Sequence, residues 1–166
     1  MMRITVFDPR DAKALVEMWR ESFEHGVGVK DPHAIEEQVQ YLLDTVMPNH
    51  AVQVAMHGDH IVGFIACNAE SVAQLFVRVA CIGQGIGSAL LRQAMAQSSG
   101  RLWLYTFARN HRACAFYEHH GFVAVARGFE PSWQLDDVKY EWARGAATMP
   151  AAPPGPVDSS TLPPLR

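Results

Sequence analysis

The sequence predicts an α+β fold, and three observations carry that reading. Segments with strand and helix periodicity follow one another in the order β-αα-β-β-β-α-β-α-β-β along 166 residues. One buried strand runs straight into alternate glycines and then into an apolar helix, across residues 75–91. A second aromatic strand, over residues 101–107, leads into a short helix that stops at Gly121. Counted from that order, the chain has about seven strands and about four helices.

Each element has its own signal. Residues 2–7 alternate well enough for a first strand. Asp8-Pro9 opens a helix over residues 10–25, with Ala14, Leu15, Met18, Trp19 and Phe23 on one face. Residues 27–30 form a loop. Asp31 is the expected N-cap of a second helix, and Pro32 takes its first position, where a missing N–H is no loss. Ile35, Val39, Leu42 and Leu43 line the apolar side of that helix. Residues 51–56 and 61–68 flank His57-Gly58-Asp59-His60 as a β-hairpin. A strand over 71–79, a glycine loop, a helix over 85–98 and a strand over 101–107 follow. Asn110 caps a helix over 111–120, and strands over 122–127 and 138–143 complete a domain of residues 1–144. Residues 145–166 are rich in Pro, Ala and Ser and offer too little apolar surface to offset ordering, so they are expected to form a disordered or extended tail.

Composition narrows the function classes. A net charge of −3 and a pI near 6.2 give no electrostatic footprint for nucleic acid or an anionic membrane. No apolar run reaches the roughly 18 residues that span a bilayer. The first residues carry no signal-peptide pattern, and Cys67, Cys81 and Cys114 form no C-x-x-C pair. Reduced cysteines in a cytoplasmic protein are the expectation. The eight histidines show none of the tight pairing of a zinc site, so no metal is expected.

The chemistry starts at the glycines. Gly83, Gly85 and Gly87 sit between a strand and a helix start, where converging backbone N–H groups and the helix dipole favour an anion. A phosphate or pyrophosphate cradle follows. A Walker A loop fits poorly, because Ser88-Ala89 follows Gly87 with no lysine. A dinucleotide fingerprint fits poorly, because Phe107-Ala108-Arg109-Asn110 stands where its acidic residue belongs.

Downstream, Asn110-His111-Arg112-Ala113-Cys114-Ala115-Phe116-Tyr117-Glu118-His119-His120-Gly121-Phe122 completes a pair of motifs. Leu75-Phe76-Val77 with the glycine loop and Leu90 resembles motif A of the GNAT superfamily, the acetyl-CoA-dependent N-acetyltransferases. The second stretch resembles that family's motif B, N-x-x-A-x-x-F-Y-x-x-x-G-F. Both stand in the family's order, and the likeness covers residues 1 to about 143. Two positions depart from it: Ile82 stands where Arg or Gln is usual, and Val79 where Pro is frequent. The Arg/Gln position acts mainly through its backbone N–H, so Ile82 forgoes about one charge-assisted contact, or ~1–2 kcal/mol.

The resemblance implies a central mixed, mostly antiparallel sheet and acetyl-CoA as co-substrate. Phe76, Val77 and Val79 would meet the pantetheine arm. Ile82, Gly83, Gln84, Gly85, Ile86, Gly87 and Ser88 would hold the pyrophosphate. Asn110, Ala113, Phe116 and Tyr117 would approach from the motif B helix. Tyr117 is the candidate general acid, since a phenol stays protonated at neutral pH and suits a thiolate leaving group. Glu70, just before the motif A strand, is the candidate base; Glu24, His25 and Gln74 are further candidates for the acceptor side. Cys114 reads as a small filler, because no adjacent base supports a relay. The implied reaction is direct acetyl transfer to a primary amine of a small molecule or peptide, with no nucleic acid or membrane partner and a homodimer left open. A non-catalytic acyl-CoA-binding regulatory module, and an enzyme using a longer acyl-CoA, are the rival readings.

Overall fold

The computed structural model describes residues 1–145 and a two-residue strand, Gly155–Pro156. The rest of the proposed tail lies outside the described residues. Strand β1 (Met2–Val6) leads through a 3₁₀ turn (Pro9–Asp11) into α1 (Ala12–Val27). Helix α2 (Ile35–Tyr41) runs on through a π-helical turn (Leu42–Val46) into the single turn α3 (Met47–Asn49). Then come β2 (Ala51–His57), β3 (His60–Cys67), β4 (Val72–Val77), a 3₁₀ turn (Val79–Cys81) and α4 (Ile86–Gln97). Strand β5 (Arg101–Phe107), helix α5 (His111–His119), and strands β6 (Val123–Glu130), β7 (Leu135–Ala143) and β8 (Gly155–Pro156) complete the order. No helix of the described residues is long and apolar enough to cross a membrane.

The α+β order is the one expected, but the sheet is parted into two halves. One half has the order β1-β2-β3-β4, all antiparallel. The other has the order β5-β7-β6-β8, antiparallel except where β8 joins the edge of β6. Among the described residues a single parallel bridge, Ser71 to Trp103, ties the halves together.

The reason lies in β4. Its register against β3 runs Gly63–Val77, Phe64–Phe76, Ile65–Leu75 and Ala66–Gln74, then jumps to Cys67–Val72. Ala73 is therefore the extra residue of a β-bulge, and a bulge reverses which edge each backbone group faces. Before it, the Glu70 carbonyl faces β5 and accepts from the Trp103 N–H at 3.0 Å. After it, the Arg78 N–H donates to the Val62 carbonyl at 2.8 Å, so the even-numbered residues of β4 pair with β3. Leu75 and Val77 turn their N–H and C=O groups to the other edge, where β5 has diverged.

Apolar faces close the two sides of this divided sheet. Leu15, Val16, Met18, Trp19 and Phe23 of α1 bury against Val54 and Phe64. Ala14 of the expected face is exposed instead, because Ala12 and Val16 carry the buried stripe. On the opposite side Leu90 and Leu91 of α4 pack with Ile65, Leu102, Leu104 and Tyr140. Gly28, with φ of 78°, ends α1 by donating its N–H to the Glu24 carbonyl at 2.9 Å.

The second helix starts three residues later than its sequence suggests. Asp31 does not cap it; its carboxylate accepts from the His33 N–H at 2.9 Å and meets His33 Nδ1 at 2.7 Å. An Asx turn two residues on uses the acceptor that a cap would have offered. The Asp31 N–H in turn donates to Glu24 Oε2 at 2.8 Å, fixing the loop to the end of α1. The last hairpin is longer than expected at both strands, since Phe129–Asp136 and Glu130–Leu135 still pair. The buried Glu130 carboxylate accepts from the Trp133 N–H at 2.6 Å and closes the turn.

Trp19 tests the core. Its ring is 1% exposed and lies 5.4 Å from the Phe64 ring and 6.1 Å from Phe76, while its Nε1 finds no hydrogen-bond partner among the described residues. Trp19→Ala is expected to cost about 3–5 kcal/mol of unfolding free energy. Trp19→Phe keeps one ring, gives up part of the buried volume and removes an unsatisfied donor, so urea denaturation should show a smaller loss of about 1–2 kcal/mol. Equal losses would mean that the indole N–H stabilises the fold.

Candidate active site

The parting of β4 from β5 opens a cavity of about 410 Å³. Its walls are the end of β4, the glycine loop, the start of α4, one face of α5 and the last turn of α1. Phe76, Val77, Ile82, Gly83, Gly85, Ile86, Gly87, Ser88, Asn110, Ala113, Phe116 and Tyr117 all line it. Thus most of the residues singled out as cofactor contacts meet around one space. Val79 and Gln84 are not among its lining residues. Val79 opens the 3₁₀ turn, its carbonyl accepting from the Ile82 N–H at 3.3 Å, and Gln84 projects to solvent.

The glycine loop is built for an anion. Gly83 and Gly85 have φ of 85° and 83°, a conformation that residues with a Cβ rarely adopt, and open space lies where each Cβ would stand. Gly85 is the N-cap of α4, and the first intrahelical bond runs from the Ala89 N–H to its carbonyl at 3.0 Å. The N–H groups of Ile86, Gly87 and Ser88 are therefore the helix's unpaired donors, at its positive end.

Fixed charge comes from elsewhere. Arg78 Nε and Nη2 donate to the Ile61 carbonyl at 2.9 and 2.6 Å, which ties that guanidinium to β3 and away from the loop. Among the described residues that line the cavity, Arg112 alone carries a fixed charge. It sits in the first turn of α5, and the sequence reading passed over it; so did Ser22, Gly26, Leu75 and Cys81, which also line the wall.

Helix α5 presents Asn110 and Tyr117 to the cavity. Asn110 Oδ1 accepts from the Ala113 N–H at 3.2 Å, the N-cap its sequence position predicts. Tyr117 is buried among Phe116, Phe122 and Tyr140, and that burial pushes its phenol up, so the hydroxyl keeps its proton throughout the physiological range. Cys114 lies on the same helix, half-buried, its Sγ 3.9 Å from the Phe107 carbonyl. Burial raises that thiol too, which disfavours the thiolate a nucleophile needs.

A smaller cavity of about 50 Å³ adjoins the first. Its walls are Phe23, Phe76 and Phe107, with Gln74, Tyr105, Thr106, Asn110 and Tyr117. Leu75, Phe76, Asn110, Ala113 and Tyr117 belong to both cavities. From this shared wall the large cavity extends past Val77 to the glycine loop, and the small one extends back along β4 to Val72.

Glu70 is not brought to this place. It is exposed in the turn before β4, roughly 20 Å along the strand from Val77 at about 3.3 Å per residue. Its N–H donates to Asn68 Oδ1 at 2.9 Å. Of the other acceptor-side candidates, His25 lines the large cavity and Gln74 the small one. Glu24 instead holds the Asp31 N–H and lies 3.7 Å from Lys30.

The Acetyltransferase (GNAT) domain family matches residues 48–124, the stretch that holds β4, the glycine loop and α5. Over that stretch the chain resembles the GNAT acetyltransferases. The peptidyl-lysine N-acetyltransferase YiaC of Escherichia coli (strain K12) is 25% identical over 130 residues, which are 78% of this chain and 88% of that protein. Among solved structures, apo-form YjaB from Escherichia coli superposes with a TM-score of 0.71 at 20% identity, over 87% of this chain and 99% of that one. The GNAT fold is also shared with yncA from Salmonella typhimurium, solved with its cofactor acetyl-CoA, at a TM-score of 0.67, 15% identity, and coverage of 91% and 98%.

The approach of α1 to α5 gives a test of this wall. A Cβ on Gly26 would stand 2.8 Å from Asn110 Nδ2, so Gly26→Ala must displace the capping amide. The lost cap costs about 1 kcal/mol, and removing a glycine from the last turn of α1 returns up to about 1 kcal/mol. Melting temperature should therefore move little, while amide hydrogens in the first turn of α5 should lose protection in hydrogen exchange. Unchanged exchange there would show that Asn110 keeps its cap in another rotamer.

Proposed function

We propose that the chain transfers the acetyl group of acetyl-CoA to a primary amine by direct attack in a ternary complex. The observation that carries this reading is the shared wall of the two cavities. The large cavity has the anion cradle and a long apolar flank, which suits a pyrophosphate with a pantetheine arm. The small one is narrow and walled by three phenyl rings, which suits an unbranched aliphatic amine. Donor and acceptor would meet at Leu75, Phe76, Asn110, Ala113 and Tyr117. No acyl-enzyme is needed where both substrates reach one point. The named activity of YiaC supports the ε-amine of a peptidyl lysine as the acceptor, with small amines as the alternative.

Three of the chemical tasks have a candidate, and the proton shed by the attacking amine passes to solvent. The edge of β4 that faces away from β3 carries the Leu75 and Val77 N–H groups, and β5 does not reach them; they would pair with pantetheine as a strand does and hold the thioester oxygen. The donors of residues 83–88 would take the pyrophosphate, with Arg112 adding charge. Tyr117, held protonated by burial, would supply a proton to the departing thiolate. Among the described residues no carboxylate lines either cavity, which leaves Gln74, Tyr105 and Thr106 as the polar surface beside the amine.

Two variants test the assignment. Gly85→Asp places a side chain on a left-handed backbone and a negative charge in the cradle, so affinity for CoA should fall by about a hundredfold or more in calorimetry. Undiminished affinity with an intact fold would remove the cradle from the reading. Tyr117→Phe keeps the ring and its packing, and amine-dependent release of free CoA should slow by about 10²–10⁴-fold in kcat with CoA affinity little altered. Full kcat in that variant would give the proton to another donor. CoA binding without thiol release for any lysine peptide, polyamine or amino acid would mark a binding module instead.

A further inference from the structure

Behind the glycine loop, α5 ends against the start of α4. Ser88 Oγ, on the cavity wall, lies 2.9 Å from Nε2 of His120, which is 32 residues away in sequence. His120 is the C-cap residue of α5, its own N–H shared between the Phe116 and Tyr117 carbonyls at 3.2 and 3.0 Å. Its ring rests edge-on against Phe116, 4.7 Å between centroids, and Phe116 also lines the cavity. The imidazole is thus fixed in place with one nitrogen on the hydroxyl that borders the cradle.

We propose that His120 is a positioning residue for the anion: through Ser88 it makes phosphate binding in the cradle proton-linked. This rests on the reading of the large cavity as the CoA site.

The argument follows the single hydrogen between the two groups. When Nε2 carries no proton, the Ser88 hydroxyl must donate to it, and the oxygen turned to the cavity repels a phosphate. When Nε2 carries a proton it donates to Ser88 Oγ, and the hydroxyl is released to donate to a phosphate oxygen. A bound pyrophosphate selects the second arrangement, and its negative charge favours full protonation of the ring. The neutral ring already carries one proton; a second is then taken from solvent, so that Nδ1 and Nε2 each hold one. The charge this supplies adds to that of Arg112, since Ile82 is apolar and Arg78 is tied to Ile61.

The free protein holds the ring ready for that uptake. Burial lowers the His120 pKa, and the facing charged and titratable groups, His119 on its own helix end and Arg92 of α4, lower it further. The site is therefore mostly neutral before the anion arrives. Because the bound state has the higher pKa, affinity rises as pH falls between the bound and the free pKa values. Below that window the linkage saturates, and above it the linkage is lost.

Calorimetric titration with dephospho-CoA tests this, because its pyrophosphate does not itself titrate near neutrality. Titrations of the full chain at pH 5.5–8.5, in buffers of different ionisation heat, should show fractional proton uptake. Affinity should gain up to about tenfold per pH unit within the window. His120→Gln, whose amide can reach Ser88 without taking up a proton, should bind with neither proton uptake nor that pH dependence. His120→Phe, which keeps the contact with Phe116, should be weaker than the native protein at pH 6 by about tenfold. Equal proton uptake in native and His120→Gln protein, or none in either with binding intact, would overturn the proposal. Absence of dephospho-CoA binding by the native chain at every pH would overturn the CoA reading itself, a different result.

Discussion

The rest of this structure depends on one inserted residue. Ala73 bulges from β4, and the bulge reverses the direction of the backbone groups beyond it. Before the bulge, β4 is tied to both neighbours, through the Ser71–Trp103 bridge on one side and Cys67–Val72 pairing on the other. Beyond it, β4 stays with β3 only. A sheet that continued across β4 and β5 would satisfy every peptide group and leave no cavity. The fork does the reverse: it exposes the edge of Leu75 and Val77 between two hydrophobic layers that remain closed.

What holds the fork open is aromatic packing on the α1 side. Phe23 of α1 contacts Phe76 on β4 at 6.5 Å and Phe107 on β5 at 6.2 Å, so one ring spans the gap between the two half-sheets. Trp133, from the β6–β7 turn, closes on Phe23 at 5.0 Å and on Phe107 at 6.2 Å. The loop after α1 meets that turn where His33 lies 5.7 Å from Trp133. Aromatic contacts of this kind contribute about 0.5–1.5 kcal/mol each beyond the area they bury. Phe23, Phe76 and Phe107 also wall the narrow cavity, so the rings that brace the fork also set its width.

Much of this was legible in the sequence because it is local. Strand β5 lies over the predicted residues 101–107, since alternation of Leu102 and Leu104 with exposed neighbours is a period-2 signal. Asn110 takes the N-cap position that its place in the sequence predicts. The failures are places where two chemically equivalent local choices compete. Asp31 could cap a helix or close an Asx turn, and only the packing of the loop against Glu24 decides. The bulge at Ala73 leaves no mark, because alanine suits either side of a sheet. The distance of Glu70 from the site is likewise a matter of strand direction. The Ser88–His120 pair joins residues 32 apart, and neither side chain announces the other.

The two cavities run in opposite directions along β4 from one common wall, and this has a consequence for the order of events. Under the proposed function, a donor seated on the glycine loop would leave the stretch past Val72 and Thr106 free, and an amine there would leave the loop free. Binding would then need no compulsory sequence; free CoA would compete with the acyl donor alone, and an acylated product with the amine alone.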